Sequence, residues 1–207
     1  MNTIIYYSAN TEDPVFERKI MDNIRDKSEG QPIISVTRKP VDLGKNICIG
    51  EQPVCYVNAF KQLLIGLKES TTDFCVASES DVLYPPEYFT FTPPVKDKPY
   101  RYTNVWVYFD GRDGFRKKAF SEGAQMCGRE HWIKSIEAIL VHPEGWELDK
   151  SSTPIIFPEK DKYSWTGNPV ITFKTRKATT FKTGYQKIFT KVLPYWGTAE
   201  EVKEKYL

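Results

Sequence analysis

Asp73-Phe74-Cys75-Val76-Ala77-Ser78-Glu79-Ser80-Asp81-Val82-Leu83 is the stretch on which the fold turns. Residues 74–77 show no polar alternation, so 73–77 reads as a strand buried on both faces, the kind found in helix-covered parallel sheets. That strand delivers Glu79 and Asp81 at its carboxyl end. Upstream, residues 4–8 form an apolar run that ends at Asn10-Thr11-Glu12. Asp13-Pro14 then supplies a helix N-cap with proline at the first helical position. Phe16, Ile20 and Ile24 recur at four-residue spacing, an apolar stripe that ends near Gly30. Ile33, Ile34 and Val36 mark a second strand between Pro32 and Pro40. After a loop over 42–46, a second helix is expected from about residue 53 to 69. Tyr56, Phe60, Leu63, Leu64 and Leu67 line one of its faces, while Asn58, Lys61 and Gln62 lie on a polar face able to look into a cleft. Strand, helix, strand, helix, strand predicts an α/β fold, a Rossmann-like, mainly parallel sheet flanked by helices. In such sheets ligands bind beyond the carboxyl ends of the strands.

Past Pro85-Pro86 the pattern loosens. Residues 88–92 and 105–109 read as strands, and 129–140 as a third helix with Trp132, Ile133, Ile136, Ile139 and Leu140 on its buried side. Residues 141–184 read as loops with one short strand at 170–173, followed by a tail that closes over the site. A chain of 207 residues fits one domain, with a donor-binding half over about 1–94 and an acceptor-side half over 95–207.

Composition excludes several classes of function. With 40% hydrophobic and 27% charged residues the chain is neither disordered nor membrane-spanning. Its apolar runs, such as 54–57 and 136–141 (the latter broken by Glu137), are too short to cross a bilayer. Met1-Asn2-Thr3-Ile4-Ile5-Tyr6-Tyr7 lacks the basic start and small-residue cleavage site of a signal peptide, which places the protein in a cytoplasm. Cys48, Cys55, Cys75 and Cys127 form no C-x-x-C pair, so free, mostly buried thiols are expected. A formal charge of +2 does not argue for nucleic acid. Charge is clustered locally, at Arg112, Arg116, Lys117 and Lys118 and again at Lys174, Arg176, Lys177 and Lys182, and both clusters read first as solvated loops.

The chemistry sits in Glu79-Ser80-Asp81. Carboxylates two apart on an extended chain point to opposite faces, but a turn at the strand end lets both converge on one hard cation. Magnesium or manganese held this way bridges diphosphate oxygens and neutralises a leaving nucleoside diphosphate.

Residues 58–67 (Asn-Ala-Phe-Lys-Gln-Leu-Leu-Ile-Gly-Leu), Ser70-Thr71-Thr72-Asp73-Phe74, and Glu79-Ser80-Asp81-Val82-Leu83-Tyr84-Pro85 with Phe89 together resemble compact bacterial and phage glycosyltransferases of the GT-A fold. Ile33-Ile34-Ser35-Val36, Lys39-Pro40 and Gly44-Lys45-Asn46-Ile47 fit the same family, and the resemblance covers roughly residues 3–94. It implies a GT-A-like fold, a UDP-sugar donor with UDP-glucose foremost, Mn2+ or Mg2+, and transfer to a hydroxyl acceptor. Tyr7, Ser8 and Asn10 fall at the family's nucleoside-binding position. Asp42, Lys45 and Asn46 fall in the loop that helps hold base and diphosphate, and Lys61 on the helix facing the donor. Asp81 and Glu79 take the metal. The family often has a metal-binding histidine late in the chain, where this sequence has Thr175. Its place is then left to an extra water, to another residue such as His142, or to the charges of Lys174 and Arg176 on the donor phosphates. Glu130, in the first turn of the third predicted helix, is the candidate acceptor-side base, although the helix dipole alone favours an acid there.

Two other classes fit the same residues. One is a nucleotide-sugar-binding module without turnover. The other is a nucleic-acid-binding protein that stacks bases on Tyr100, Tyr102, Trp106, Tyr108, Phe115 and Phe120; it merges with the first reading if the acceptor is a hydroxymethylated base of DNA.

Overall fold

The computed structural model describes residues 1–109, 113–119, 121–141, 163–175 and 185–207. The chain opens with strand β1 (Asn2–Ser8), helix α1 (Pro14–Lys27), β2 (Ile33–Thr37), β3 (Lys45–Cys48), α2 (Tyr56–Glu69) and β4 (Phe74–Glu79). Asp13 caps α1 as its sequence requires, accepting from the amides of Val15 at 2.9 Å and Phe16 at 3.1 Å. The loop expected over 42–46 is in part strand, because Asn46 bonds across to Ser35 and Thr37 on the neighbouring strand.

After β4 come β5 (Val82–Leu83), α3 (Pro86–Thr90), β6 (Pro99–Tyr102), β7 (Val105–Phe109), β8 (Phe115–Lys118), β9 (Gln125–Gly128) and α4 (Arg129–Leu140). The strand expected over 88–92 is instead the short helix α3, with Pro86 in its first turn and Tyr88 and Phe89 turned into the core. Aromatic residues with high strand propensity were the misleading signal; the preset φ of proline at the helix start prevailed. The third helix occupies the expected residues. Beyond it lie β10 (Tyr163–Trp165), β11 (Val170–Lys174), β12 (Tyr185–Thr190), β13 (Val192–Leu193), β14 (Gly197–Thr198) and α5 (Ala199–Tyr206). The single strand expected in 141–184 is therefore joined by β10 among the described residues. The end of the tail packs on α1, with the Lys27 ammonium 5.8 Å from the centre of the Tyr195 ring.

A seven-stranded sheet runs β10-β6-β9-β4-β1-β2-β3. Four of its six pairings are parallel: β1 with β2, β1 with β4, β2 with β3, and β10 with β6. The mainly parallel sheet flanked by helices is thus present. A second, largely antiparallel sheet, β12-β8-β7-β11-β5, was not foreseen. Alternation along the central strands divides the core. Ile4, Tyr6 and Val76 face α1 and the second sheet, whereas Ile5, Cys75 and Ala77 face α2 and α4 through Phe60, Leu63, Leu67, Trp132 and Ile136. Of the four free thiols, Cys75 and Cys127 are buried, Cys48 is exposed and Cys55 lies between. Among the described residues no helix is long and apolar enough to cross a membrane.

Gly66 fixes how closely α2 lies on the sheet. A Cβ there would stand 2.4 Å from Cγ2 of Ile5. Alanine normally gains about 1 kcal/mol over glycine inside a helix, but overpacking a core typically costs about 1–3 kcal/mol. Gly66→Ala is therefore expected to destabilise the fold by about 1–2 kcal/mol, seen as a lower urea midpoint at unchanged slope.

Candidate active site

The carboxyl edge of the parallel strands gathers the acidic pair. Tyr7 and Glu79 are register partners on β1 and β4, and the Tyr7 hydroxyl donates to Glu79 Oε1 at 2.8 Å. The Glu79 amide donates to the Tyr84 hydroxyl at 3.0 Å, and that hydroxyl donates on to the Gly123 carbonyl at 2.8 Å. A Cβ at Gly123 would stand 2.0 Å from the Glu79 carboxylate, so a side chain there would push the carboxylate out of its present position. The Phe173 amide donates to the Asp81 carbonyl at 2.7 Å, which ties the turn after β4 to β11 and brings Lys174 to the pair.

Both carboxyls are held above their usual range. Burial is the main cause for each, and for Glu79 the charge of Asp81 adds to it while the Tyr7 hydrogen bond opposes it. Lys174 and then Lys118 pull Asp81 back down. Burial, with the charge of Glu79 behind it, also keeps the Tyr7 phenol protonated well beyond its normal pKa.

Lys118 is the residue that sequence reasoning missed. Its cluster is not a solvated loop: the cluster's described members lie on β8. The Arg116 guanidinium lies 5.8 Å from the centre of the Phe189 ring, Lys117 donates to Asn104 at 2.7 Å, and Lys118 is only 8% exposed. Strand alternation counted from Phe115 turns Lys118 away from the buried face, so no local pattern marked it. Burial and the like charge of Lys174 lower its pKa to about 8, against the pull of Glu79 and Asp81.

Other expected site residues are engaged elsewhere. Ser8 donates to Glu17 Oε1 at 2.6 Å and the Asn10 side-chain amide donates to the same oxygen at 3.1 Å; Tyr6 supplies a third donor at 2.8 Å. Asn10 also takes positive φ and accepts from the Lys39 amide, so it builds the turn after β1. Asn46 is spent on the β2–β3 pairing. Gln62 is buried rather than facing a cleft, donating to the carbonyls of Ser8 and Val36 at 2.8 and 2.9 Å, whereas Lys61 beside it is exposed.

Asp42, Lys45 and Glu130 lie at the other edge of the sheet. Asp42 accepts from Arg25 near the end of α1, and Lys45 pairs with Glu69 at the end of α2. Arg129 donates its amide to the Asp73 carbonyl, at the start of β4, and Glu130 follows it, exposed and paired with the Arg129 side chain. The structure does not bring these three together with Glu79 and Asp81. The Thr175 hydroxyl, at the position of the family's histidine, donates to both oxygens of Glu12 at 3.0 and 2.9 Å. Arg176 and His142 lie outside the described residues. Tyr100, Tyr102, Tyr108 and Phe115 are buried and cannot stack on bases.

Among the described residues no group of three or more His, Cys, Asp or Glu side chains is gathered for a metal. Glu79 and Asp81 nevertheless suit magnesium or manganese. Such an ion needs one or two protein carboxylates when phosphate oxygens and water complete its shell, and a half-buried acidic pair gains from the added charge.

No protein-family model matches the chain, and no curated protein sequence does. Among solved structures, a glycosyltransferase involved in the glycosylation of the major capsid of PBCV-1 is similar with a TM-score of 0.49 at 9% identity, over 81% of each chain. TarS residues 1–349 of S. aureus, in complex with UDP-GlcNAc, gives 0.49 at 10% identity over 86% of this chain and 60% of that one. A mannosyltransferase from Pyrobaculum calidifontis, in complex with GDP-Man and Mn2+, gives 0.48 at 12% identity over 86% and 58%. This chain thus spans less than two thirds of the latter two. Scores below 0.5 at these identities transfer neither activity nor site.

The raised carboxyls have a consequence for stability. A carboxyl with a higher pKa in the folded chain than in the unfolded one favours folding where it is protonated, and that benefit is lost as pH rises through the folded value. At about pH 7 the charged pair therefore costs stability. Asp81→Asn is expected to raise Tm by roughly 2–4 °C there, the shift produced by about 1 kcal/mol in a chain of this size. The gain should shrink as pH falls through the raised folded value and folded wild type takes up the same proton. Differential scanning calorimetry at neutral and at acid pH checks this.

Proposed function

We propose that the chain is a metal-dependent glycosyltransferase that takes a sugar from a UDP-sugar, UDP-glucose foremost, and transfers it to a hydroxyl acceptor. One observation carries the proposal: two half-buried carboxylates, Glu79 and Asp81, stand together at the carboxyl edge of a parallel sheet, within reach of the charges of Lys118 and Lys174. That edge is where such sheets bind ligands, and an acidic pair flanked by cations is suited to a diphosphate and its counter-ion. The sequence resemblance over residues 3–94 supports the same reading.

Asp81 and Glu79 would hold the metal, which when bound neutralises charge on the departing diphosphate. Tyr7 orients Glu79 through its hydrogen bond, and Gly123 leaves the space that the Glu79 carboxylate occupies. Lys174 contributes a positive charge fixed at the end of β11 to the same oxygens. Ser8 and Asn10 shape the turn along which the nucleoside lies, through Glu17 rather than by direct contact.

Isothermal titration calorimetry is expected to show UDP binding that needs Mn2+ or Mg2+, with Asp81→Ala weakening it by about tenfold or more while the folded circular dichroism spectrum is kept. Metal-dependent release of UDP from UDP-glucose should fall in parallel. Equal metal-dependent affinity in variant and parent would overturn the metal assignment, and binding without any release of nucleotide would leave a binding module.

A further inference from the structure

Charge is spread unevenly along a nearly neutral chain. Residues 174–191 contain Lys174, Arg176, Lys177, Lys182, Lys187 and Lys191 and no Asp or Glu, although 29 basic residues meet 27 acidic ones over the whole sequence. The described end of that stretch, β12, is the outer strand of the second sheet and pairs antiparallel with β8, which carries Arg116, Lys117 and Lys118. Lys118 is buried and Lys117 is bound to Asn104, whereas Arg116 is half-buried and Lys187 and Lys191 are exposed. None of Arg116, Lys187 and Lys191 lies within ion-pair distance of a described carboxylate. Asp113, exposed in the turn before β8, is the one described acid of the β7–β8 hairpin. The paired strands therefore present a net positive surface, which draws in a polyanion.

An exposed aromatic ring stands within this charge. Phe189 and Arg116 are register partners, the guanidinium lies 5.8 Å from the ring centre, and Phe189 is 49% exposed. The ring also packs on Gly114, where a Cβ would stand 2.3 Å from Cζ of Phe189. It is thus braced by two neighbours and still half open to solvent. Lysines on an open edge strand deter pairing with other chains, but an exposed phenylalanine works against that role, so edge protection does not account for the pair. Cations without acids around an open ring are the combination that binds single-stranded nucleic acid, whose phosphates follow the charge while its bases stack on the ring. Phe189 offers the stacking face that the buried Tyr100, Tyr102, Tyr108 and Phe115 do not.

We propose that β12 and β8 form a binding surface for single-stranded nucleic acid, in which Phe189 stacks on a base and Arg116, Lys187 and Lys191 hold phosphates. Between β12 and β11 lie β8 and β7, so the surface is three strand spacings, about 14 Å, across the sheet from the strand that ends beside Asp81. A bound strand covers that distance, since single-strand sites run from about 4 to 16 nucleotides. Binding follows from charge and exposure on this sheet. Its biological meaning rests on the glycosyltransferase reading, under which the nucleic acid carries the acceptor hydroxyl.

The test is fluorescence anisotropy of the full chain with labelled oligothymidylate, with inorganic polyphosphate and phosphatidylserine vesicles as competitors. Oligothymidylate is expected to bind, and to weaken as salt rises with a log–log slope of about −2, the value for three phosphate contacts on a single strand. Polyphosphate at equal charge should compete more weakly, because it has nothing to stack. Phe189→Ala should weaken oligothymidylate about tenfold and leave polyphosphate unchanged. Lys187→Glu should weaken both anions and flatten the salt slope. Thermal melts of each variant separate lost binding from lost fold. If Phe189→Ala does not fold, Phe189→Leu, which keeps apolar bulk without a ring face, serves in its place. Absence of oligothymidylate binding would overturn the proposal, as would wild-type affinity in the folded Phe189 variant, an unchanged slope in Lys187→Glu, or vesicles bound in preference to oligothymidylate. Oligothymidylate binding without any release of UDP from UDP-glucose would count against the glycosyltransferase reading and leave the surface standing, and turnover without oligothymidylate binding would do the reverse.

Discussion

Two carboxylates brought partly out of water beside each other set the terms for the structure around them. Glu79 and Asp81 lose hydration and repel one another, and neither effect is offset by an adjacent ion pair in the manner of a structural salt bridge. What holds them is backbone. The Glu79 amide is engaged by Tyr84, the Asp81 carbonyl by Phe173, the Tyr7 hydroxyl meets the Glu79 carboxylate, and the backbone amide of Asp81 meets its own carboxylate. A charged pair positioned by neutral hydrogen bonds, and without a closed ion pair among the described residues, is organised for something other than stability.

The second sheet is what turns an acidic strand end into a site. β5 follows Asp81 immediately and pairs antiparallel with β11, so the turn between β4 and β5 lies against the end of β11. β11 in turn pairs with β7, and β7 with β8, which carries Lys118. Through these three pairings the cations of β8 and β11 are delivered to the carboxylates of β4. The aromatic cluster of Tyr84, Tyr88, Phe89 and Trp165 fills the space where the sheets meet, and Tyr84 and Tyr88 stack at 4.4 Å between ring centres. Their hydroxyls donate to carbonyls of β4 and of the segment entering β9, so the core and the site share the same side chains.

The first half of the chain was legible because its signals were local. Asp13-Pro14 marks a helix start by capping and fixed φ, and the unbroken run Phe74-Cys75-Val76-Ala77 marks a doubly buried strand. Glu79 and Asp81 followed from that strand alone. The rest depended on contacts distant in sequence. Lys118 reads as one more basic residue in Arg116-Lys117-Lys118 until pairing of β7 with β8 buries it. Gly123 has no significance until Glu79 occupies the space beside it. The residues over 88–92 misled because aromatic composition is shared by strands and by short helices packed in a core. Gln62 misled because a buried amide bonded to two carbonyls looks, in sequence, like a polar surface.

The two edges of the parallel sheet explain why some expected site residues are together and others apart. Every β-to-α connection in the first half leaves the carboxyl edge, and every return arrives at the amino edge. Asp42 and Lys45 precede β3, and Glu130 follows the strand that runs antiparallel to β4, so all three are carried to the amino edge by topology whatever their chemistry. There they are neutralised locally: Asp42 by Arg25, Lys45 by Glu69, and Glu130 by Arg129. Exposed pairs of this kind contribute little to stability and leave no charge to act on a ligand. At the carboxyl edge the opposite holds, since Glu79, Asp81, Lys118 and Lys174 are close in charge yet none is joined to another in a closed ion pair among the described residues. Charge balanced at one edge and left open at the other is the asymmetry on which the proposed site at the carboxyl edge rests.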